Sequence, residues 1–343
     1  MSISLPDIRA IGNDEEAAYA LLESMRWPTG PECPHCGYDK AYFLTPKNPE
    51  GRRSGPKRTR SIRRVWKCAK CRKQFSVLTN TIFHGTKIPI CDWLHVMVQM
   101  SASKNGTSAR EIERMIHVTP ETAWFMLHRL REAMRRESII APLSGVVAAD
   151  ETYIGGIEAN KHKDKRFRNV YTAEPTRIEP GNRPRQGPGP SWGKTSVLTL
   201  VDRETGEARS KVVPDVTAHS LRKAIAEQVD MPNTILHTDE SRSYQAIAHE
   251  FKDHQSVVHS DDQYVRVQDG RKITSNQVEN FFSQLKRSID GTYHHVSKKH
   301  LQRYLDEFDF RYTTRRLTDS ARLQRMVDQA AGRRLTYKPL TDG

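Results

Sequence analysis

The spacing of apolar and polar residues separates the chain into stretches with different predicted structures. Apolar residues recur with a helical period near the N-terminus and again in the third stretch, whereas short apolar runs flank the cysteines of the second. The long fourth stretch alternates short apolar runs with helical patterns, and this alternation predicts an α/β fold. The predicted segments are residues 1–30 (an N-terminal helical segment), 31–80 (a small ribbon), 89–138 (paired helices), 145–312 (the α/β domain) and 313–343 (a basic, polar tail).

The third stretch predicts two helices separated by a short turn. Ser108 and Glu111 have the spacing of a capping box, and Thr119 followed by Pro120 is typical of the start of a second helix. This is the pattern of a helix-turn-helix, whose second helix enters the major groove of DNA. The side chains expected to face outward and reach DNA are Glu121, Thr122, Phe125, His128, Arg129 and Arg131. Two packed helices without a role in DNA binding are the alternative.

Two buried strands of the α/β domain are each predicted to end in an aspartate. The apolar runs are residues 145–149 (GVVAA) and 234–238 (TILHT), which precede Asp150 and Asp239. Each aspartate is followed directly by a glutamate, Glu151 or Glu240. Because neighbouring residues of a strand point to opposite faces, one acid of each pair should face a common site. We choose the two aspartates because they are nearest to the apolar runs.

A helix predicted over residues 276–289 carries a third acid. Glu279 lies on its polar stripe, and Lys286 lies on the same stripe two helical turns later. The apolar stripe that should face the core consists of Val278, Phe281, Phe282, Leu285 and Ile289. Between the two strands, residues 196–213 predict a hairpin and residues 220–229 a helix.

Three converging carboxylates suit a divalent ion that prefers oxygen ligands, Mg²⁺ or Mn²⁺. Two such ions about 3.5–4 Å apart can hold the attacking and leaving oxygens of a phosphodiester. Asp150, Asp239 and Glu279 are therefore the predicted metal ligands and catalytic residues, and Lys286 is predicted to lie near the phosphate.

Four of the five cysteines form two Cys-x-x-Cys pairs, Cys33 with Cys36 and Cys68 with Cys71. Each pair can direct two thiolates at one ion, and two pairs complete the tetrahedral shell of a structural zinc. The pairs therefore predict a zinc ribbon over residues 31–80, with no open position for catalysis. Cys91 has no partner in this spacing, and we expect a buried thiol.

The charge balance indicates the kind of partner. The chain has 343 residues with 55 Lys and Arg against 41 Asp and Glu, a formal net charge of +14. Such a surplus favours binding to a polyanion, because lysine and arginine release counterions from the phosphate backbone. Two basic stretches rich in proline and glycine, residues 46–64 and 158–193, predict surface loops that are either solvated linkers or arms touching phosphates.

A membrane is the other anionic candidate, but no apolar run approaches the roughly 18–20 residues that span a bilayer. The first 13 residues lack the basic-then-apolar order of a secretory signal. We therefore expect a cytoplasmic DNA-binding protein without a membrane segment.

Taken together, these motifs resemble the zinc-ribbon insertion-sequence transposases of the DDE type, the ISXO-like group. The resemblance covers nearly the full length. Its matching stretches are residues 33–36 (CPHC), 68–75, 108–131, 150–156 (DETYIGG), 237–239 (HTD), 278–287 (VENFFSQLKR), 291–296 (GTYHHV), 304–308 (YLDEF) and 311–312 (RY).

The resemblance implies an RNase H-like catalytic domain with a mixed sheet, in which Asp150, Asp239 and Glu279 are the three acids and Lys286 the basic residue that follows. It implies a bacterial enzyme, nucleoid-associated when bound to DNA, that cuts the terminal repeats of its element and joins the 3′-hydroxyls to target DNA, as a homodimer or higher oligomer. The alternatives are a non-catalytic zinc-ribbon regulator of transcription and a metal-dependent nuclease that does not join strands.

Overall fold

The computed structural model describes residues 8, 10–45, 64–136, 141–156, 194–256 and 276–341, and the backbone of Arg266–Gln268 and Arg271–Ile273. Residues 46–63 and 157–193, which contain the two predicted loops, lie outside the described residues. The chain divides into two compact units. Unit 1 comprises Met1–Arg135 and Thr314–Gly343, and unit 2 comprises Arg136–Thr313.

Most of the helices and strands lie where the sequence pattern predicts them. In chain order they are α1 (Glu15–Arg26), β1 (Ala41–Phe43), β2 (Trp66–Cys68), β3 (Gln74–Phe75), α2 (Ile90–Ala102), α3 (Ala109–Ile116), α4 (Pro120–Met134), β4 (Leu143–Ile154), β5 (Thr195–Asp202), β6 (Ala208–Val213), α5 (Ala218–Ala226), β7 (Val229–Thr238), α6 (Arg242–Gln245), a 3₁₀ turn (Ala248–Glu250), β8 (Asp253–Ser256), β9 (Arg266–Gln268), β10 (Arg271–Ile273), α7 (Asn276–Ser288), a π turn (Ile289–Tyr293), α8 (Lys298–Thr313), α9 (Asp319–Ala330) and α10 (Lys338–Thr341). Among the described residues, none of the helices combines the length and apolar character needed to cross a bilayer.

Unit 1 contains a small antiparallel ribbon and a group of helices. The ribbon has the strand order β1-β2-β3, with Phe43 opposite Trp66 and Trp66 opposite Phe75. Helix α1 packs against α2. Glu15 of α1 also caps α2, because its carboxylate accepts hydrogen bonds from the Ile90 and Cys91 amides. A carboxylate at a helix N-terminus satisfies orphan amides and favours the helix dipole.

The predicted pair of helices is present in unit 1. Ser108 and Glu111 form the expected capping box at the start of α3, and Thr119 caps α4 with Pro120 in its first turn. Between them His117 adopts a left-handed conformation with φ +54°, and three residues separate the two helices. Helix, turn and second helix are therefore confirmed as elements.

The predicted orientation of α4 is wrong beyond its first two turns. His128, Arg129 and Arg131 are 0%, 5% and 1% exposed, whereas Thr122 and Phe125 are half-buried. The Arg129 guanidinium lies over the rings of Trp93 and Phe125 and donates to the carbonyl of His84. These three basic side chains belong to the interior of unit 1 and cannot reach a DNA groove in this structure.

The C-terminal stretch is not the polar tail that the sequence analysis expects. Helix α9 begins after the capping residue Thr318 and packs against α1, α2 and α4. Its buried residues are Leu323, Met326, Val327 and Ala330. The end of the chain thus supplies an apolar helix face to unit 1, and this face explains part of the burial of α4.

Unit 2 is built on a five-stranded sheet with the order β6-β5-β4-β7-β8. Strands β4, β5 and β6 are antiparallel neighbours, and β7 and β8 run parallel to β4. Helices follow β6 and β7 directly, and α7 and α8 come after β9 and β10, so the domain is a mixed α/β sheet covered by helices. This strand order and these directions are those of the RNase H-like fold, as expected.

The two faces of the sheet carry different helices. On the α7 face, α7 and α8 pack over Ala148, Ile154 and Val201. On the α5 face, α5 and the segment around Tyr244 pack over Val147, Ala149 and Leu236. Alternate residues of β4 therefore point to opposite helical layers.

One predicted strand boundary is wrong. Asp150 lies inside β4 and does not end it, because β4 continues to Ile154, which is opposite Thr195 of β5. Ladder hydrogen bonds use the backbone, so the strand can continue through polar side chains where its neighbour continues. Asp239 is the first residue after β7, as predicted.

Candidate metal centres

The four paired cysteines converge at one point in unit 1. Their sulfur atoms all lie within 4.8 Å of one another. The Sγ atoms of Cys33 and Cys71 are 3.7 Å apart, and those of Cys36 and Cys68 are 3.6 Å apart. A zinc ion bound by four sulfurs at 2.3 Å requires sulfur–sulfur distances of about 3.8 Å. The cluster therefore fits a tetrahedral zinc site.

Two tight turns produce this convergence. After the first pair, the Gly37 amide donates to the Cys33 carbonyl at 2.8 Å, with Gly37 at φ +68°. After the second pair, the Arg72 amide donates to the Cys68 carbonyl at 3.2 Å, with Arg72 at φ +63°. Both turns need a left-handed residue, which glycine adopts without steric cost.

The ribbon is attached to α1 by a polar and an aromatic contact. The Glu23 carboxylate accepts from Arg64 at 2.8 Å and from the Trp66 indole at 2.9 Å. Trp27, which follows α1, makes edge contacts with Trp66 and Phe75. These contacts hold the cysteine ribbon in the same unit as the helix-turn-helix.

The two aspartates of unit 2 belong to adjacent parallel strands in different ways, because Asp150 lies within β4 and Asp239 directly follows β7. Asp150 shares the α7 face of β4 with Ala148, and Ala148 is opposite His237 of β7. Asp239 comes two residues after His237, at the end of β7. Each carboxylate is fixed by a backbone amide: Glu151 N donates to Asp150 at 2.7 Å and Ser241 N to Asp239 at 3.0 Å.

Glu151 points the other way, toward Tyr244 on the α5 face. Burial raises the pKa of Glu151 to about 7, opposed by the nearby hydroxyl of Tyr244 and assisted by the negative charges of Asp150 and Asp239. Burial also raises the pKa of Tyr244 well above 10, and the same three carboxylates add to the shift. Both effects indicate that Asp150 and Asp239 concentrate negative charge at one place in the sheet.

The third acid is carried by the helix that covers this face. Glu279 follows the buried Val278 and precedes the buried Phe282 by three residues, so it lies at the edge of the packed stripe of α7. Helix α7 packs against β4 and β5. Lys286 lies two turns further along the helix and is exposed.

The three acids do not form a tight shell. In the part of the chain that the structure describes, the cysteine cluster is the only group of three or more metal-binding side chains whose ligand atoms lie within 4.8 Å of one another. Asp150, Asp239 and Glu279 are not brought together in this way in the structure. The chemistry of the donors, all carboxylate oxygens, fits Mg²⁺.

A polar network beside Asp150 was not anticipated from the sequence. Thr199 is opposite Asp150 in β5, and its hydroxyl lies 2.9 Å from that of Ser210 in β6. Asp309 of α8 accepts from the Ser210 amide and hydroxyl, both at 2.6 Å. The only signal in the sequence is a hydroxyl residue in each of two apolar strands. Their register, which brings the two together, is not visible there.

Asp309 gives the protein a specific dependence of stability on pH. Burial raises its pKa from 3.8 to about 6, despite the hydrogen bonds from Ser210 and the positive charge of Arg136. A raised carboxyl pKa favours the folded state below about pH 4, and the contribution is lost as the pH rises through 6. The shift corresponds to at most about 3 kcal/mol.

The measured quantity is the free energy of unfolding of unit 2 in the wild type minus the same free energy in Asp309→Asn. We expect this difference to fall by up to about 3 kcal/mol between pH 4 and pH 7. Urea titrations read by pulsed hydrogen exchange in β5 and β6 measure this difference. Asp290→Asn, at an exposed position, is the control and should follow the wild type. A constant difference between wild type and Asp309→Asn at all pH values would contradict the assignment.

The fold and the sites together define a protein with a cysteine zinc-ribbon domain and an RNase H-like domain that carries carboxylates. The profile of the ISXO2-like transposase domain matches residues 142–313, and that of the transposase zinc-ribbon domain matches residues 13–74. The chain belongs to the ISXO2-like transposase family.

One relative is a protein of Halobacterium salinarum described as an uncharacterized protein in transposable element ISH50. It is 24% identical over 320 residues, which are 92% of this chain and 97% of the relative. A Mos1 transposase chain in a pre-cleavage transpososome gives a TM-score of 0.26 at 11% identity, covering 69% of this chain and 78% of that one. A chain of a simian T-cell lymphotropic virus intasome gives 0.26 at 13% identity, covering 62% and 66%. At this TM-score neither structure bears on the fold.

Proposed function

We propose that this transposase-family chain binds the terminal repeats of an insertion sequence, cuts the DNA and joins the new ends to target DNA. One arrangement carries the proposal: Asp150 lies in β4, Asp239 directly follows the neighbouring parallel strand β7, and α7, which carries Glu279, packs against β4. Carboxylates whose charges help to raise the pKa of a buried neighbour, here Glu151, are typical of a functional site.

In this proposal Asp150, Asp239 and Glu279 would hold Mg²⁺ or Mn²⁺ ions, which would supply charge stabilisation to the reacting phosphodiester. The amide bonds to Asp150 and Asp239 orient the two carboxylates before DNA arrives. Lys286, exposed on the same stripe of α7 as Glu279, contacts a phosphate of the bound strand.

The reaction has two steps of the same kind. In cleavage, a water oxygen bonds to phosphorus while the bond to the 3′-oxygen breaks, leaving a 3′-hydroxyl on the element end. In joining, that 3′-hydroxyl bonds to a phosphorus of the target and displaces another 3′-oxygen. Each step exchanges one P–O bond for another, so neither an oxidant nor a covalent enzyme intermediate is needed.

Recognition of the ends is assigned to unit 1. The first two turns of α4 remain accessible, with Glu121 exposed and Thr122 and Phe125 half-buried. These are the positions where a recognition helix contacts base edges. The four cysteines bind a structural zinc that stabilises the ribbon beside this helix pair. Because two ends must be brought together, the active form is a dimer or a larger assembly on DNA.

The products of a single reaction test the proposal. The full-length protein is incubated with a labelled element-end duplex, a supercoiled target plasmid and Mg²⁺, with Ca²⁺ and EDTA as parallel arms. We expect ends cut to a 3′-hydroxyl and covalent joining to the target in Mg²⁺ alone. Specific binding without cleavage would support the regulator instead, and cleavage without joining would support a simple nuclease.

A further inference from the structure

A cavity of about 440 Å³ opens on unit 2 upstream of the two aspartates. Its walls come from β4, β7, β8 and the turn between β5 and β6. We call it the flank cavity. Its lining residues are Gly145, Val146, Arg203, Glu204, Asn233, Ile235, His237, Lys252 and Gln255.

The position of the flank cavity follows from strand alternation. Val146 is opposite Ile235, and both share the α7 face with His237, which lies two residues before Asp239. Two residues of a strand span about 6.6 Å, so the cavity begins that far from Asp239 and extends away from it. The backbones of Arg203 and Lys252 are bonded to Val146 and Thr234, which lie four and five residues before Asp150 and Asp239, or about 13 and 16 Å along the strands. Neighbouring phosphates of one DNA strand are about 6–7 Å apart, roughly twice the rise along the helix axis. The two cationic residues are therefore about two to three nucleotides from a phosphate held at the acids.

Arg203 is placed in the cavity by the turn that precedes it. Asp202 accepts from the Glu204 and Thr205 amides, and this turn brings the Arg203 amide to the Val146 carbonyl at 3.0 Å. The Arg203 guanidinium lies 3.2 Å from Nδ1 of His237. Since a guanidinium only donates, Nδ1 accepts and carries no proton.

A second set of hydrogen bonds holds the His237 ring, which accepts from Arg203, in place. The His237 ring is hydrogen-bonded to Gln255, which donates to the Asp253 carboxylate at 2.8 Å. His237 itself is buried. Arg203 is thus held by an ordered, buried ring, and less side-chain entropy remains to be lost when it binds a ligand.

The charges of the wall identify the class of ligand. Arg203 and Lys252 are cationic, Asn233 and Gln255 offer amide groups, and Glu204 is the acid among the lining residues. Lys252 is exposed, and its backbone is anchored by the Thr234 carbonyl at 3.1 Å. A planar guanidinium beside an ammonium suits a phosphate oxyanion.

We propose that the flank cavity binds a backbone phosphate of the element DNA, two to three nucleotides from the reacting phosphate, with Arg203 and Lys252 as its cationic ligands. The inference rests on the transposase function proposed above and adds a phosphate subsite to it. A strand held at this subsite and at the acids has two fixed points, so the reacting phosphate is oriented as well as bound.

Binding measurements in Ca²⁺ test the subsite without cleavage. Lys252→Ala is expected to weaken binding of an element-end duplex about tenfold at 0.1 M salt and to reduce the salt slope by about 1. Glu204→Gln should tighten binding a few-fold. Lys223→Ala, at an exposed lysine of α5 on the other sheet face, should leave affinity and slope unchanged. Equal affinities and slopes for Lys252→Ala and Lys223→Ala would overturn the proposal.

A scan with neutral methylphosphonates locates the phosphate. Substitution at one position, two to three nucleotides from the cleavage point, should weaken wild-type binding and have no further effect on Lys252→Ala. Additive losses at every position would exclude the subsite even if the enzyme cuts and joins DNA. If the enzyme neither cuts nor joins DNA, the proposed function fails. A single phosphate whose substitution weakens wild-type binding but has no further effect on Lys252→Ala would still support the subsite.

Discussion

Cys68→Ser is expected to abolish zinc binding and unfold the ribbon of unit 1. Structural zinc contributes about 10–16 kcal/mol in small zinc domains, and the strands β1 to β3 are only two or three residues long. The ribbon also contacts α1 through Glu23 and Trp27, so part of unit 1 should survive. Metal analysis of the purified protein should fall from one zinc per chain to a small fraction. Tryptophan emission should shift to the red as Trp66 and Trp27 become exposed.

Two matched variants separate zinc loss from general damage. His35→Ala changes an exposed residue inside the first Cys-x-x-Cys pair, and Cys91→Ser changes a buried thiol outside the cluster. Both should retain one zinc per chain, and hydrogen exchange in β4 and β7 of unit 2 should be the same in all three proteins. A Cys68→Ser protein that keeps its zinc and its emission spectrum would refute the four-cysteine site.

The ribbon was predictable because its information is local. Each Cys-x-x-Cys pair sets its own turn, and the requirement that four thiolates share one ion supplies the single long-range contact. The structure has three short strands, β1 to β3, in this segment, and all four sulfurs converge. The same reasoning predicted α3 and α4, since caps such as Ser108 and Thr119 act within three residues.

The environment of α4 was not predictable from its own sequence. A helical period separates one apolar face from the rest, but it does not reveal a second layer from elsewhere in the chain. Here α9, about 190 residues later, packs against α4 in unit 1. The signal for α9 was present, with apolar residues at 323, 326, 327 and 330 after the capping Thr318, but the basic residues between them favoured a tail.

The choice of Asp150 as a catalytic acid stays a prediction, and the reason given for it from the sequence is incomplete. Nearness to an apolar run selected Asp150 over Glu151, although β4 does not end there. The structure supplies a better criterion, because the side chains that flank Asp150 on its own face pack under α7, whereas Glu151 faces Tyr244. Which face receives the last helix depends on chain topology, and a strand pattern alone does not contain it.

This face assignment makes the sharpest prediction for catalysis. Asp150→Asn and Asp239→Asn should each lower the rate of Mg²⁺-dependent end cleavage by about 10³-fold or more, while binding of the end duplex in Ca²⁺ is retained. A bound metal contributes several kcal/mol to transition-state stabilisation, and each 1.36 kcal/mol is a factor of ten in rate. Glu279→Gln should lower the cleavage rate by a similar factor if α7 supplies the third metal ligand.

The adjacent glutamates are the matched controls. Glu151→Gln should cleave within about tenfold of the wild type, because burial and the neighbouring aspartates already favour an uncharged side chain there. Glu240→Gln, at an exposed position, should cleave at the wild-type rate. The comparison uses single-turnover cleavage rates together with titration of Mn²⁺ into each protein. A Glu151→Gln protein that neither cleaves nor binds Mn²⁺, beside an active Asp150→Asn, would reverse the assignment and place the metal site on the α5 face.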